Sequence, residues 1–124
     1  RAAIRPLLNH INDLGPELLV VEAGASPLEP YNGAALMDEL GENIVCTILS
    51  ASDPYAVVGV QQAFGLVPDI VTGPATQTSV AVELVRKLTG LPALNLIDPA
   101  AKEPFRQFLR ARLGLSEHRN ASGM

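Results

Sequence analysis

The chain has 124 residues and a formal net charge of −4, with 48% hydrophobic and 18% charged residues. This length suits one domain with one core. The sequence contains no run of Lys or Arg, which disfavours a nucleic-acid partner. No stretch approaches the ~20 apolar residues of a membrane span. The excess of apolar residues predicts that part of the surface serves as an interface, as in a homo-oligomer.

Cys46 is the single cysteine and lies inside an apolar run, where we expect a packed thiol in a reduced compartment. The first residues lack the charged-then-apolar pattern of a signal peptide, so the expected location is the cytoplasm. Because the chain opens on Arg1 with a helical pattern at once, we also expect it to be part of a longer protein.

Apolar residues at three- and four-residue spacings predict an amphipathic helix over residues 2–14, ended by Gly15 and Pro16. A short apolar run over 18–21 predicts a first strand, of the kind that a parallel sheet covers on both faces. A loop with two prolines follows, and a second helix is expected from Tyr31 or Asn32 to a cap at Gly41.

The same strand-then-helix plan then occurs three more times, with strands over 44–49, 70–71 and 92–97 and helices over 54–64, 75–89 and 99–113. Asp53 and Asp98 each precede a proline and are expected to cap the next helix. Gly59, inside a helix, predicts the close approach of another backbone. We expect a single α/β domain over 1–115 and a flexible tail over 116–124.

Strands alternating with helices predict a three-layer α/β/α sandwich with a mostly parallel sheet of about four strands. Ligands bind such sheets beyond the carboxyl ends of the strands. Four loops occupy that place, and their small polar residues either admit an anion to the backbone or serve as ordinary turn and capping residues. The candidate ligand-binding residues in these loops are Gly24, Ser26, Ser52, Thr72, Gly73 and Thr76.

Glu22 ends the first predicted strand. A carboxylate there could bind Mg²⁺, which prefers oxygen ligands, or it could cap a helix or pair with an Arg. The sequence contains neither GxGxxG nor GxxxxGK[ST], and no cluster of Cys and His with metal-ligand spacing. The chain alone is therefore not expected to hold a triphosphate or to act as a nucleophilic or metal-dependent hydrolase.

The sequences VVEAGAS, NIVCTILSASDPYAVVGVQQAFG and KLTGLPALNLID resemble the carboxyl-terminal half of P-loop NTPases of the dethiobiotin synthetase and cobyric acid synthase type. The resemblance spans about two thirds of the chain. It implies a Rossmann-like half P-loop NTPase whose phosphate loop lies before Arg1. It also implies that Glu22 helps to hold Mg²⁺ near ATP or GTP, with Gly24 and Ser26 beside the substrate. Where the family commonly has an Asn that reads the base, this chain has Thr72.

Two functions stay open at this point. The chain is the carboxyl-terminal part of an Mg-assisted, ATP- or GTP-dependent enzyme, not catalytic alone and lacking its N-terminal domain, with the loop over 72–76 near the base or substrate. Alternatively, it is a non-catalytic α/β module that binds a small molecule or dimerises.

Overall fold

The computed structural model describes residues 4–24 and 33–115. Two compact units make up the chain, Arg1–Ile44 and Val45–Met124. The single α/β domain over 1–115 stays a prediction. The predicted tail over 116–124 lies outside the described residues. None of the described helices combines the length and the apolarity needed to cross a membrane.

The first unit contains two helices, α1 (Ile4–Asp13) and α2 (Gly33–Leu40), and a 3₁₀ turn, Gly41–Asn43. The predicted first helix is confirmed, and Gly15, with a φ of 68°, follows its end. An ion pair joins the two helices, with Arg5 Nε 3.2 Å from Glu39 Oε2. Neither helix contains a buried residue, so the described part of this unit is held together by half-buried contacts.

The predicted strand over 18–21 is wrong. These residues form no strand, and all four apolar side chains are exposed, Val20 to 87%. An extended segment becomes a strand only when a neighbour takes up its backbone N–H and C=O groups, and no described residue pairs with this segment.

The second unit alternates strands and helices: β1 (Ile48–Ser50), α3 (Pro54–Phe64), β2 (Ile70–Thr72), α4 (Ser79–Thr89) and α5 (Lys102–Leu113). Short 3₁₀ turns, Pro74–Thr76 and Pro99–Ala101, precede the last two helices. The predicted helix over 75–89 therefore begins as a separate turn. Gly65, Gly90 and Gly114 end the three helices in the left-handed conformation that glycine adopts easily.

The second unit has a mixed α/β fold around a small parallel sheet. β1 and β2 pair in the register Ile48↔Ile70, Leu49↔Val71 and Ser50↔Thr72. The predicted fourth strand is reduced to a single parallel bridge between Val71 and Ala93. Pro92 accepts a hydrogen bond from Val71 N but has no N–H to donate. The four-stranded sheet expected from the sequence is thus represented by two strands and one bridge.

The core of the second unit is built from small side chains. It consists of Ala51, Val57, Val71, Ala75, Val85 and Ala93. By contrast, Gly59 is not held by packing, because a β-carbon added there would meet nothing within 4 Å. The close backbone approach predicted at Gly59 is wrong.

Asp69 ties the amino ends of the two strands together. Thr47 N donates to Asp69 Oδ2 at 2.7 Å, and Asp69 N donates to Thr47 O at 2.8 Å. Arg112 of α5 pairs with the other carboxylate oxygen at 3.1 Å. Cys46 lies half-buried nearby, and burial, followed by the charge of Asp69, raises the pKa of its thiol.

Candidate ligand site at the carboxyl edge of the parallel sheet

The parallel register brings three loops to one edge of the second unit. Ser50 and Thr72 are paired at the carboxyl ends of β1 and β2, and the loop over 94–98 follows the bridge at Ala93. We call this region the carboxyl edge and define it by residues 50–53, 72–76 and 94–98. It contains the predicted site residues Ser52, Thr72, Gly73 and Thr76.

The loops over 50–53 and 72–76 cross at Gly73. Its φ of 85° and ψ of −162° lie in a region that is almost exclusive to glycine. A β-carbon there would lie 2.5 Å from Ser50 Oγ and 3.0 Å from Ala51 O. Two backbone hydrogen bonds, Ala51 N to Thr72 O and Ala75 N to Ala51 O, fix the crossing at 3.0 Å each. The small residue thus admits the backbone of the neighbouring loop, and its role in ligand binding stays a prediction.

Thr76 joins the second loop to the third. Its side chain is fully buried, and its hydroxyl lies 3.0 Å from Gly73 O and 2.9 Å from Leu94 O. A hydroxyl carries one hydrogen, so it donates to these carbonyls in turn or shares the hydrogen between them. This arrangement directs the polar group of Thr76 into the protein.

Thr72 has hydrogen-bonding capacity to spare. It is 9% exposed and is, with Thr76, one of the two buried polar residues among those described. No described residue hydrogen-bonds to the Thr72 hydroxyl, and the hydroxyl oxygen is accessible to solvent. Of the four predicted site residues at the carboxyl edge, Thr72 is the one best able to bind a ligand through its side chain.

The helices that start at the carboxyl edge are capped by side chains of the chain itself, as predicted for Asp53 and Asp98. Asp53 Oδ1 accepts from Tyr55 N at 2.9 Å and Ala56 N at 3.0 Å, and Asp98 Oδ1 accepts from Ala100 N at 2.9 Å. Ser52 Oγ donates to Asp53 Oδ2 at 2.9 Å. An anionic ligand at the start of α3 would therefore have to displace a carboxylate.

These hydrogen bonds also favour the ionised form of Asp53. The N–H of Ala56, then the Ser52 hydroxyl and the N–H of Tyr55, hold the pKa of the Asp53 carboxyl below its usual value of 3.8. The three loops contain no Lys or Arg. The charged side chains within these loops, Asp53 and Asp98, are both acidic, and Arg86 of α4 donates to Ala93 O, directly before the third loop, at 2.9 Å. The loops themselves thus favour an uncharged ligand group over a bare phosphate.

Asn95 organises the third loop and was not among the predicted site residues. Its Nδ2 donates to Gln77 O, and its Oδ1 accepts from Ile97 N, both at 3.2 Å. The second contact is an Asx turn, in which an Asn side chain accepts from the backbone two residues on. An Asn directly after an apolar run is the sequence signal that points to this turn.

The remaining predicted site residues are not among the residues of the second unit. Glu22 and Gly24 are exposed residues of the first unit. They line a shallow, mostly apolar depression of about 700 Å³ together with side chains of α1 such as Leu8 and Ile11. Ser26 lies outside the described residues. Within residues 4–24 and 33–115, no three His, Cys, Asp or Glu side chains are grouped so as to hold a metal ion.

No protein-family model, curated protein or solved structure matches this chain.

Proposed function

We propose that this chain is the carboxyl-terminal part of an Mg-assisted, ATP- or GTP-dependent enzyme and binds the nucleoside portion of the nucleotide at the carboxyl edge. It is not catalytic alone. The observation that carries the proposal is the spare hydroxyl of Thr72, at the carboxyl end of a parallel strand where three loops meet.

The charges at the edge support this orientation of the nucleotide. Asp53 already occupies the start of α3, and Lys and Arg are missing from the three loops. A base or ribose, which is uncharged, suits this edge better than phosphates do. Separately, the resemblance to P-loop NTPases implies that Glu22 of the first unit helps to hold Mg²⁺ near a nucleotide. In the proposed enzyme, the complete domain is a Rossmann-like, three-layer α/β/α sandwich of about four strands.

A second candidate is a non-catalytic α/β module that binds an uncharged small molecule at the same edge. The self-capped starts of α3 and of the turn before α5 support it, because they offer no free anion site. Its ligand would need no metal ion and no second domain.

Calorimetric titration with Mg-ATP, Mg-GTP, adenosine and guanosine tests the proposal. Thr72→Val removes the hydroxyl while keeping a β-branched side chain, and we expect it to weaken nucleoside and nucleotide binding about 2- to 10-fold, the value of one hydrogen bond. Thr47→Val, before the amino end of β1, is the matched control and should bind as the parent does. Glu22→Ala should weaken Mg-nucleotide binding alone.

The absence of heat with all four compounds would refute nucleotide binding by this chain and leave the non-catalytic module. Equal affinities of the Thr72→Val variant and the parent would remove Thr72 from the site.

A further inference from the structure

Ser50 places a second hydroxyl at the carboxyl edge, next to that of Thr72. The two residues are paired across β1 and β2, and neighbouring strands lie about 4.7–4.9 Å apart. Because residues paired in parallel register occupy the same phase of the pleat, their side chains lie on one face of the sheet. The side chains of Ser50 and Thr72 are therefore neighbours at the point where both strands end.

Both hydroxyls are available to a ligand. Ser50 is exposed, and no described residue hydrogen-bonds to its Oγ. The Thr72 side chain is nine-tenths buried, yet its hydroxyl also has no partner among the described residues. Ser50 Oγ lies 2.5 Å from the position that a β-carbon on Gly73 would take. Glycine at this position thus makes room for the Ser50 hydroxyl beside Thr72.

A pair of hydroxyls suits a particular class of ligand group. Each hydroxyl rotates and can donate as well as accept, so the pair matches a group that also donates and accepts at two adjacent atoms. The 2′- and 3′-hydroxyls of a ribose form such a group, and they carry no charge that Asp53 or Asp98 would repel. A base, by contrast, presents donors and acceptors in fixed positions, which rotating hydroxyls do not distinguish.

We propose that Ser50 and Thr72 together bind the 2′- and 3′-hydroxyls of the ribose. The edge then distinguishes ribonucleosides from deoxyribonucleosides and treats adenosine and guanosine alike. This inference rests on the proposed nucleoside binding. It adds the part of the nucleoside that meets the strand ends, and it adds Ser50 as a residue that determines specificity.

Calorimetric titration of the full chain with adenosine, 2′-deoxyadenosine and 3′-deoxyadenosine tests the inference. We expect adenosine to bind about 2- to 10-fold more tightly than either deoxynucleoside, the value of one hydrogen bond. Guanosine and its two deoxy forms should give the same ratios. Ser50→Ala should abolish the preference for adenosine over one of the two deoxynucleosides, and Thr72→Val should abolish the preference over the other.

Ser79→Ala is the matched control, because Ser79 is an exposed serine of α4 outside the carboxyl edge. It removes the same group and should bind adenosine as the parent does. The inference is overturned, with nucleoside binding intact, if the parent binds all three adenosine compounds equally, if Ser50→Ala keeps both preferences, or if Ser79→Ala loses one as well. The absence of heat with every nucleoside would overturn the proposed function together with the inference.

Discussion

Gly73 shows how one residue fixes the crossing of two loops at the carboxyl edge. We expect Gly73→Ala to destabilise the chain by about 1–3 kcal/mol from its backbone conformation alone, with a further loss from the contact with Ser50 Oγ. Thermal and denaturant unfolding measure the change.

Gly59→Ala is the matched control for this substitution. Gly59 lies inside α3, has open space around it and has no positive φ, so alanine there should raise stability by about 0.5–1 kcal/mol. Destabilisation by both substitutions to a similar extent would contradict the distinction between the two glycines.

Thr76 is the second residue on which the structure of the carboxyl edge depends. Thr76→Val keeps the shape of the side chain but leaves Leu94 O without its donor, which should cost about 1–3 kcal/mol of unfolding free energy. Urea unfolding measures this loss. Little change in stability would mean that water replaces the hydroxyl at the partly buried carbonyl of Leu94.

At the scale of elements, Asp53 supports the start of α3. Its pKa is lowered in the folded chain, so its stabilising effect is present above the unfolded pKa and is lost as the pH falls through the folded one. We expect Asp53→Ala to lower the Tm at neutral pH, with the difference from the parent shrinking as the pH falls below 3.8.

Glu83→Ala removes an exposed acidic residue from α4 and is the control for the loss of one negative charge. An equal effect of both variants on the pH dependence of the Tm would refute a specific role for the Asp53 cap.

The sequence predicts the helices better than the strands, for a physical reason. Asp53 with Pro54, and Gly90 after Thr89, mark helix ends through bonds to residues only a few positions away. A strand depends instead on a distant partner, and an apolar run such as 18–21 contains no signal that identifies one. The run over 92–97 yields a single bridge because the chain turns at Asn95, two residues after Ala93.

For the candidate site too, the sequence predicts the position of the residues but not the distant partners of their side chains. The order of the elements indicates that Ser52, Thr72, Gly73 and Thr76 share one edge, because parallel strands end on the same side. It does not reveal that the Thr76 hydroxyl is used internally, since its acceptor Leu94 O lies 18 positions away. The free hydroxyl of Thr72 likewise became apparent only from the packing around it.

At the scale of the whole molecule, the two units differ in how they are stabilised. The core cluster lies in the second unit, whereas α1 and α2 contain no buried residue. Isolated helices shorter than about 12–15 residues are marginal in water. We therefore expect a fragment of residues 45–115 to unfold cooperatively on heating and a fragment of residues 1–44 to be largely unfolded, as measured by circular dichroism. A cooperative transition in the shorter fragment would contradict this division.

The alanines at the centre of the second unit have a consequence for sequence variation. Ala51, Ala75 and Ala93 leave room for little more than a methyl group, and inserting extra methylenes into a packed core costs about 1–3 kcal/mol. Homologous chains should therefore keep Ala, Gly or Ser at these three positions while their exposed helix faces diverge. A lineage that retains this sheet would be recognised by its smallest side chains, which set how closely the helices and strands approach.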